Sequence, residues 1–348
     1  EGTNPVGGYQ RITDRLVQAQ LQMLVNQKVI TEQELRSPDL GSVLDELFPQ
    51  KNIDLLELVS VQYYNQAIYD FEKSEYFTAY QNALKAYYIS PNERFRNVLH
   101  SASLTWLAQR DVSSSHYPDI MAVFAVTDTT EEHYDIVAQE FGAVGYAMLF
   151  EEREPAKLDS LYNRLKRRFR PSYLVEKTDF AYHALKADYA FKLGLFHDGY
   201  KHSYNAMLLE PENLEVAGML LANTGQLVHA QKFGKASDSL KSLSRQFPIL
   251  AENNIWCSMY AEQLLYDIWN DLGDSYNNKV GDKVAEFEEL MADPNLIVSR
   301  ELIGSTYSRL ALMRFNSSKA RARETLAKAL QWAPDDSNLL RVKRMLGV

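Results

Sequence analysis

The amino-acid sequence predicts an all-α fold, a right-handed α-α superhelix built from about seven stacked helical hairpins. The first observation is that prolines recur near a forty-residue period, with one missing between Pro91 and Pro171. The second is that the segments between these markers read as pairs of amphipathic helices. A fixed period of this size is typical of a solenoid, which grows by adding units that contact only their neighbours. The prolines that mark the period are Pro91, Pro171, Pro211, Pro248, Pro294 and Pro334.

Two regions are predicted along the chain. Residues 1–53 form an irregular segment with a short helix over 14–26 and another opening at the capping-box pattern of Thr31 and Glu34. Residues 54–348 form the repeat region. Its predicted helix pairs are 54–72 with 75–89, 92–110 with 116–125, 131–152 with 155–169, 173–193 with 196–209, 212–230 with 233–247, 249–272 with 277–291, and 297–315 with 318–332, before a last helix over 336–347.

The prolines also predict where helices begin. Proline is tolerated in the first turn of a helix but not in its interior. At Pro91 we expect Ser90 to cap the next helix and Glu93 to complete a capping box. The last helix carries Arg341, Lys343 and Arg344 opposite its apolar side, which suits a terminal cap with one face in water.

Composition excludes several classes of function. The net charge of −9 and the pI near 5.4 argue against a broad nucleic-acid interface. A single cysteine rules out an intramolecular disulfide and a cysteine-based metal site. No apolar run reaches the roughly 18 residues of a transmembrane helix. The first residues have neither an initiator Met nor a signal peptide, so we expect this chain to be a piece of a longer one. We expect its compartment to be either the cytoplasm or the periplasm.

Small residues recur where the two helices of a hairpin would cross. An aromatic stands at the start of the second helix, and a proline ends the unit. Together these places are taken by Ala67, Tyr76, Ala79, Ala86 and Pro91 in the first hairpin, by Ala187, Gly194, Phe196, Gly199, Ala206 and Pro211 in the fourth, and in part by Ala322, Ala329 and Pro334 in the last. This pattern resembles the tetratricopeptide repeat, in which small residues let two helix backbones approach. The period exceeds that family's usual length of about 34 residues, so armadillo-type or HEAT-type repeats remain the alternative.

A second resemblance concerns the first eight residues. The stretch from Glu1 to Gly8 is similar to the end of a transglutaminase-like domain, which precedes tetratricopeptide repeats in many bacterial proteins. The resemblance puts Glu1 near the acid of a Cys-His-Asp triad. It implies a parent enzyme whose substrate this chain positions and whose catalytic domain is absent. A glycine-rich turn of unrelated origin is the alternative.

The tetratricopeptide resemblance also implies a partner-binding groove lined by the first helix of each hairpin. Asn65 stands at one place of that family's clamp for peptide C-termini, although the rest of the clamp is not reproduced. Core packing is the alternative role for Tyr64 and Phe71. Carried over residue by residue, the groove comprises Tyr64, Asn65, Phe71, Asp188, Lys192, Tyr307 and Arg314.

No catalytic, cofactor-binding or metal-binding pattern stands out in this chain. Cys257 is expected mid-helix as a buried, inert thiol, and the seven histidines as ordinary helix or surface residues. The basic cluster from Arg164 to Arg170 is interpreted as cations at a helix C-terminus, where they interact favourably with the helix dipole. A binding site for phosphate or RNA is the alternative. We therefore expect a protein-binding scaffold without cofactors. The alternatives are the substrate-positioning part of a transglutaminase-like enzyme and an envelope scaffold.

Overall fold

The computed structural model describes residues 14–26, 31–32, 54–109, 116–127, 131–230, 236–273 and 278–347. Every regular element in these residues is a helix, which confirms the predicted all-α fold class. In chain order they are α1 Asp14–Asn26, α2 Leu55–Glu72, α3 Tyr76–Ile89, α4 Glu93–Leu107, α5 Tyr117–Met121, α6 Val123–Val126, α7 Glu131–Tyr146 with a π-helical end at Ala147–Glu151, α8 Pro155–Lys166, α9 Ser172–Lys192, α10 Phe196–Leu209, α11 Leu214–His229, α12 Ala236–Gln246, α13 Pro248–Ala251, α14 Asn254–Asp271, α15 Asn278–Leu290, α16 Arg300–Ser317, α17 Lys319–Trp332 and α18 Ser337–Met345.

The chain divides into two compact units. The first consists of Glu1–Met148 and Glu154–Val175, and the second of Leu149–Arg153 and Glu176–Val348. Within the first unit, α2 packs on α3 and α3 on α4. Within the second, α10 packs on α11, α14 on α15 and α16 on α17. This succession of packed neighbours is the arrangement of an α-α superhelical solenoid.

Prolines separate consecutive hairpins, but Pro91 does not lie in the first turn of the next helix as predicted. It precedes the capping residue Asn92, and Pro211 and Pro334 likewise precede the caps of their helices, whereas Pro248 opens α13. Ser90, Glu210, Phe247 and Ala333 each precede a proline, and all four have φ between −141° and −125° with ψ between 70° and 86°. This similarity follows because the proline ring disfavours the helical region for the residue before it. Ser90 is therefore the end of α3 rather than the cap of α4, a role that Asn92 takes by accepting a hydrogen bond from the Phe95 amide.

Two predicted helices are divided in the structure. The segment predicted as one helix over 116–125 forms the short α5 and α6. The helix predicted to start at 249 is interrupted, because α13 ends at Ala251 and α14 begins only after Asn253. The Asn253 side chain accepts hydrogen bonds from the Ile255 and Trp256 amides, which caps the new helix.

The first and fourth predicted hairpins close with the same turn. Ser74 and Gly194, which are 120 residues apart in the sequence, both have a positive φ, 64° and 73°. After each, the next amide bonds the carbonyl five residues back, from Glu75 to Asp70 and from Leu195 to Ala190. These bonds end a helix in a Schellman motif, for which glycine is the usual residue.

The small residues at the predicted helix crossings lie in the core. An alanine exposes no side chain to water at these positions because another helix backbone covers it. Those with no exposed surface are Ala67, Ala79, Ala86, Ala187, Ala206, Ala322 and Ala329.

Some predictions concern residues that the structure does not describe. The predicted helix over 14–26 is present as α1. The helix expected after Thr31, the stretch from Glu1 to Gly8 and the boundary expected at residue 53 lie mainly or wholly outside the described residues. No helix in the described part of the chain is both long and apolar enough to span a bilayer.

Candidate partner-binding surface

Two large aromatic side chains stand exposed on one face of α14. Tyr266 is 50% exposed and Trp269 is 39% exposed. Residues three apart lie on the same side of a helix, so the two rings are neighbours. Neither the Tyr266 hydroxyl nor the Trp269 indole N–H makes a hydrogen bond within the described residues. The face thus presents apolar area together with unused polar groups.

Arg309 of α16 completes this surface. Its guanidinium carbon lies 5.0 Å from the centroid of the Trp269 ring, within the range of a cation–π interaction. Its Nη2 donates a hydrogen bond of 2.7 Å to the Gly273 carbonyl, just beyond the end of α14. Since a guanidinium has five N–H donors, this bond fixes its plane and leaves other donors for a ligand. We call Tyr266, Trp269 and Arg309 the aromatic face.

A second contact region holds α16 against α14 near the start of both helices. The Ile297 amide donates to the Ser258 hydroxyl at 3.0 Å, and the Ser299 amide donates to Glu262 Oε1 at 3.0 Å. Ser299 also caps α16 by accepting from the Leu302 amide. The segment before α16 is therefore tied to α14, which sets the two helices side by side.

The opposite flank of α14 is braced by α15. Lys283 Nζ lies 2.7 Å from Asp271 Oδ2 and 3.4 Å from Asp267 Oδ2. Burial alone would lower the pKa of Lys283, but the hydrogen bonds and charges of Asp271 and Asp267 outweigh it and raise that pKa. Asp267 also accepts a hydrogen bond from Ser237 on α12. These contacts restrain α14, so the aromatic face stands on a rigid helix.

Two of the three predicted groove residues of the first unit, Tyr64 and Asn65, are buried. Tyr64 is buried against Phe95, with ring centroids 5.1 Å apart, and its hydroxyl accepts a hydrogen bond from Arg94. Asn65 is also buried, and its side-chain amide has no hydrogen-bond partner within the described residues. Phe71 is half-buried and packs edge-on against Tyr76, with centroids 5.3 Å apart. Tyr64 and Asn65 present almost no surface to a partner.

Asp188 and Lys192 lie together on α9. Lys192 is exposed, and its Nζ lies 2.7 Å from Asp188 Oδ2 and 4.2 Å above the Phe150 ring centroid. Phe150 in turn packs edge-on against Tyr189. The ammonium group is reachable, but it is already engaged by a carboxylate and a ring.

Tyr307 and Arg314 are separated along α16. Tyr307 is fully buried between Phe287 and Trp332, with centroid distances of 5.7 and 5.5 Å. Arg314 is partly buried and donates a hydrogen bond of 2.7 Å to Thr325 Oγ1 on α17. The Tyr307 ring therefore packs in the core in this structure, and the surface of the same helix is formed at Arg309.

Sequence reasoning missed the aromatic face. Tyr266 and Trp269 do carry a local signal, since they are two aromatics one helical turn apart on the first helix of a predicted hairpin. The signal is weak because Trp256 and Tyr260 of the same helix are buried, so residue type alone does not separate core from surface.

Two histidine pairs occur that sequence spacing did not reveal. His183 and His202 have Nδ1 atoms 2.8 Å apart, so one ring donates and the other accepts. Burial, followed by the charge of His183, lowers the pKa of His202 to about 4. The rings of His100 and His133 lie beside each other at an angle of 57°, with centroids 5.0 Å apart. No group of three potential metal-ligating side chains was found among the described residues.

Cys257 differs from its expected environment. It lies in the first turn of α14 rather than mid-helix, and it is half-buried, with Sγ 3.2 Å from the Ala251 carbonyl oxygen. Burial, and then the charge of Asp293, raises the pKa of its thiol. A raised pKa keeps the thiol protonated at neutral pH and therefore weakly nucleophilic.

The predicted basic cluster lies at and beyond the C-terminus of α8. Lys166 Nζ bonds the Tyr162 hydroxyl at 2.9 Å, and Arg168 pairs with Asp119 at 2.7 Å. Two members of the cluster are therefore engaged within the first unit, while Arg167 and Arg170 are exposed.

Comparison with known proteins found no family model and no curated protein that matches this chain.

Proposed function

We propose that this chain is a protein-binding scaffold and that the aromatic face on α14 and α16 binds the partner. The observation that carries the proposal is the pairing of an exposed Trp269 with Tyr266 and with an Arg309 that is held in place. Trp, Tyr and Arg are the residues most enriched among those that dominate binding energy at protein interfaces. Because the Arg309 guanidinium already packs over the Trp269 ring, the Trp269 side chain loses little conformational entropy when a partner binds, and this favours affinity.

We further propose that the repeat is of the tetratricopeptide type. Two features support this assignment: the identical turns at Ser74 and Gly194, and the buried alanines at the helix crossings. Proteins of this kind use the faces of their first helices to hold extended peptides or domains. The aromatic face lies on two such helices, α14 and α16.

The proposed role is binding rather than catalysis. The protonated Cys257 thiol and the engaged histidine pairs offer no activated nucleophile among the described residues. Turnover by the isolated chain that disappears in Cys257→Ala would contradict this part of the proposal.

Site-specific photo-crosslinking in the source cells tests the binding proposal. The variant Tyr266→p-benzoylphenylalanine places the reactive group on the aromatic face. The matched control, Tyr88→p-benzoylphenylalanine, replaces a tyrosine of the first unit that is 63% exposed. A protein adduct formed at 266 and absent at 88 is the expected result. Adducts of equal yield at both positions, or none at 266, would contradict the assignment of the surface.

A further inference from the structure

The end of the chain concentrates positive charge in an acidic protein. Residues 300–348 contain ten Lys and Arg and four Asp and Glu, although the whole chain has a net charge of −9. Residues 251–299 have the opposite balance, with two Lys and ten Asp and Glu. Seven of the cations lie on the last two helices, and one of them, Lys328, pairs with Glu288. The other six are called here the basic end: Lys319, Arg321, Arg323, Arg341, Lys343 and Arg344.

Packing brings the cations of α17 and α18 to the same end of the last hairpin. Helix α18 begins where the Asp336 carboxylate lies against Gly304, near the start of α16. It then packs along α16 through the buried Leu339 and Val342. Its nine residues extend about 13 Å at 1.5 Å per residue. Helix α18 therefore runs toward the end of α16, where α17 begins after Ser318.

The basic end carries no neutralising carboxylates. Five of its six side chains are exposed, Lys343 is partly buried, and none forms an ion pair within the described residues. Elsewhere in the same unit lysines are neutralised, as in the pairs Lys328 with Glu288 at 2.6 Å and Lys241 with Glu286 at 2.5 Å. The six cations of the basic end thus lie on two neighbouring helices without a paired carboxylate in the described part of the chain.

Protection of the terminal helix from aggregation does not explain this charge. A capping helix needs a polar outer face, but side chains of either sign supply one. Six like charges repel one another and destabilise the compact state, a penalty that alternating signs would avoid. We infer that the basic end docks an acidic segment of a partner protein, whose carboxylates relieve the repulsion.

The neighbouring hairpin favours a narrow acidic segment over a broad anionic surface. Helices α14 and α15 contain the acidic stretch, and Glu288 of α15 reaches Lys328 of α17 directly. The Debye length is about 8 Å at physiological ionic strength, so carboxylates within about that distance of a bound partner still act on it. A flat anionic bilayer or a nucleic-acid duplex would face the acidic hairpin as well as the basic end, whereas one peptide segment touches only the cations.

This inference rests on the proposed function in one respect, namely that the partner is a protein. It concerns a different surface from the aromatic face. Exposed ion pairs are individually weak, so affinity must come from several together, and it must fall with salt. Neutralising three of the six cations should weaken binding about tenfold or more.

The direct test measures fluorescence anisotropy of a labelled peptide of alternating Glu and Leu, titrated with the whole chain at low and at high salt. The test variant combines Arg341→Gln, Lys343→Gln and Arg344→Gln. We expect the wild-type chain to bind the peptide, high salt to weaken binding, and the variant to bind about tenfold more weakly. A peptide of alternating Gln and Leu should not bind, and circular dichroism checks that the variant remains helical.

A control of equal charge change separates the basic end from net charge. Arg167→Gln, Arg170→Gln and Lys201→Gln together remove three exposed cations that also have no ion pair within the described residues. This control should bind the Glu-Leu peptide like the wild type. An equal loss in the control, no peptide binding at all, or binding only to phosphatidylserine vesicles or to an oligonucleotide would overturn the inference. Trp269→Ala should retain peptide binding, so this proposal and the aromatic-face proposal fail separately.

Discussion

A methyl group added at Gly304 should destabilise the second unit, against the ordinary trend for helices. Gly304 lies in the interior of α16, where replacing glycine by alanine normally stabilises a helix by about 1 kcal/mol. Here a Cβ would overlap the Asp336 carboxylate, well inside the 3.0 Å that Cβ atoms keep from other heavy atoms. The carboxylate lies 2.1–2.3 Å from that Cβ and would have to move by more than about 1 Å to reach van der Waals contact.

That movement removes the cap of α18. Asp336 Oδ1 accepts hydrogen bonds from the Asn338 and Leu339 amides at 2.9 and 3.0 Å. Loss of such a cap costs roughly 0.5–2 kcal/mol, and forcing a group into a packed contact costs about 1–3 kcal/mol. After the gain of about 1 kcal/mol from helix propensity, Gly304→Ala should still lose roughly 1–3 kcal/mol.

The assay is urea denaturation followed by far-ultraviolet circular dichroism, together with hydrogen exchange of the α18 amides. The matched control is Gly218→Ala on α11, where a Cβ would meet no heavy atom within 4 Å. Gly218→Ala should raise the urea midpoint, whereas Gly304→Ala should lower it and speed exchange in residues 337–345. A midpoint for Gly304→Ala at or above that of Gly218→Ala would refute the packing argument.

Three further predictions follow from buried groups. Tyr307→Ala should lower the free energy of unfolding by about 3–5 kcal/mol, since the ring is fully buried between Phe287 and Trp332; equal urea midpoints for Tyr307→Ala and wild type would place the ring elsewhere. Gly199→Ala should lower the midpoint of thermal unfolding, because its Cβ would overlap the side chain of the buried Asn223; an increase would show that the amide moves freely. Burial, then His133 and Arg96, lowers the pKa of His100 to about 4, so stability is complete above about pH 6.5 and falls by up to about 3 kcal/mol as pH drops to 4; a His100→Gln variant with the same pH slope in urea titrations would contradict this.

The fold class and the joints between hairpins could be predicted because they depend on local chemistry. The ring of Pro91 or Pro334 restricts the residue before it wherever the helix lies, and the four residues that precede such prolines share one backbone conformation. The positions of the buried alanines were indicated by the resemblance to the tetratricopeptide pattern, in which small residues stand where two helices cross. The identity of the capping residue was less certain: both Ser90 and Asn92 are good caps, and the proline between them decided for Asn92.

The proposed binding surface could not be predicted from the sequence because the first helices of a solenoid pack on more than one side. Tyr307 and Trp269 are both aromatics on such helices, yet the first is fully buried and the second is 39% exposed. The difference arises from Phe287 and Trp332, which cover Tyr307 from other helices. The pairing of His183 with His202 likewise joins two helices. The two residues are 19 positions apart in the sequence, and the spacing of residues along one helix face does not indicate which residues of different helices will meet.

The most direct test of the central claim is the affinity of the crosslinked partner for purified variants of this chain, measured by isothermal titration calorimetry. Removal of a side chain that dominates an interface costs about 2 kcal/mol or more. We therefore predict that Trp269→Ala binds at least about thirtyfold more weakly than wild type. Tyr88→Ala, which removes an exposed aromatic of the first unit, should bind like wild type. Equal affinities for wild type and Trp269→Ala would contradict the assignment of α14 and α16 as the binding surface.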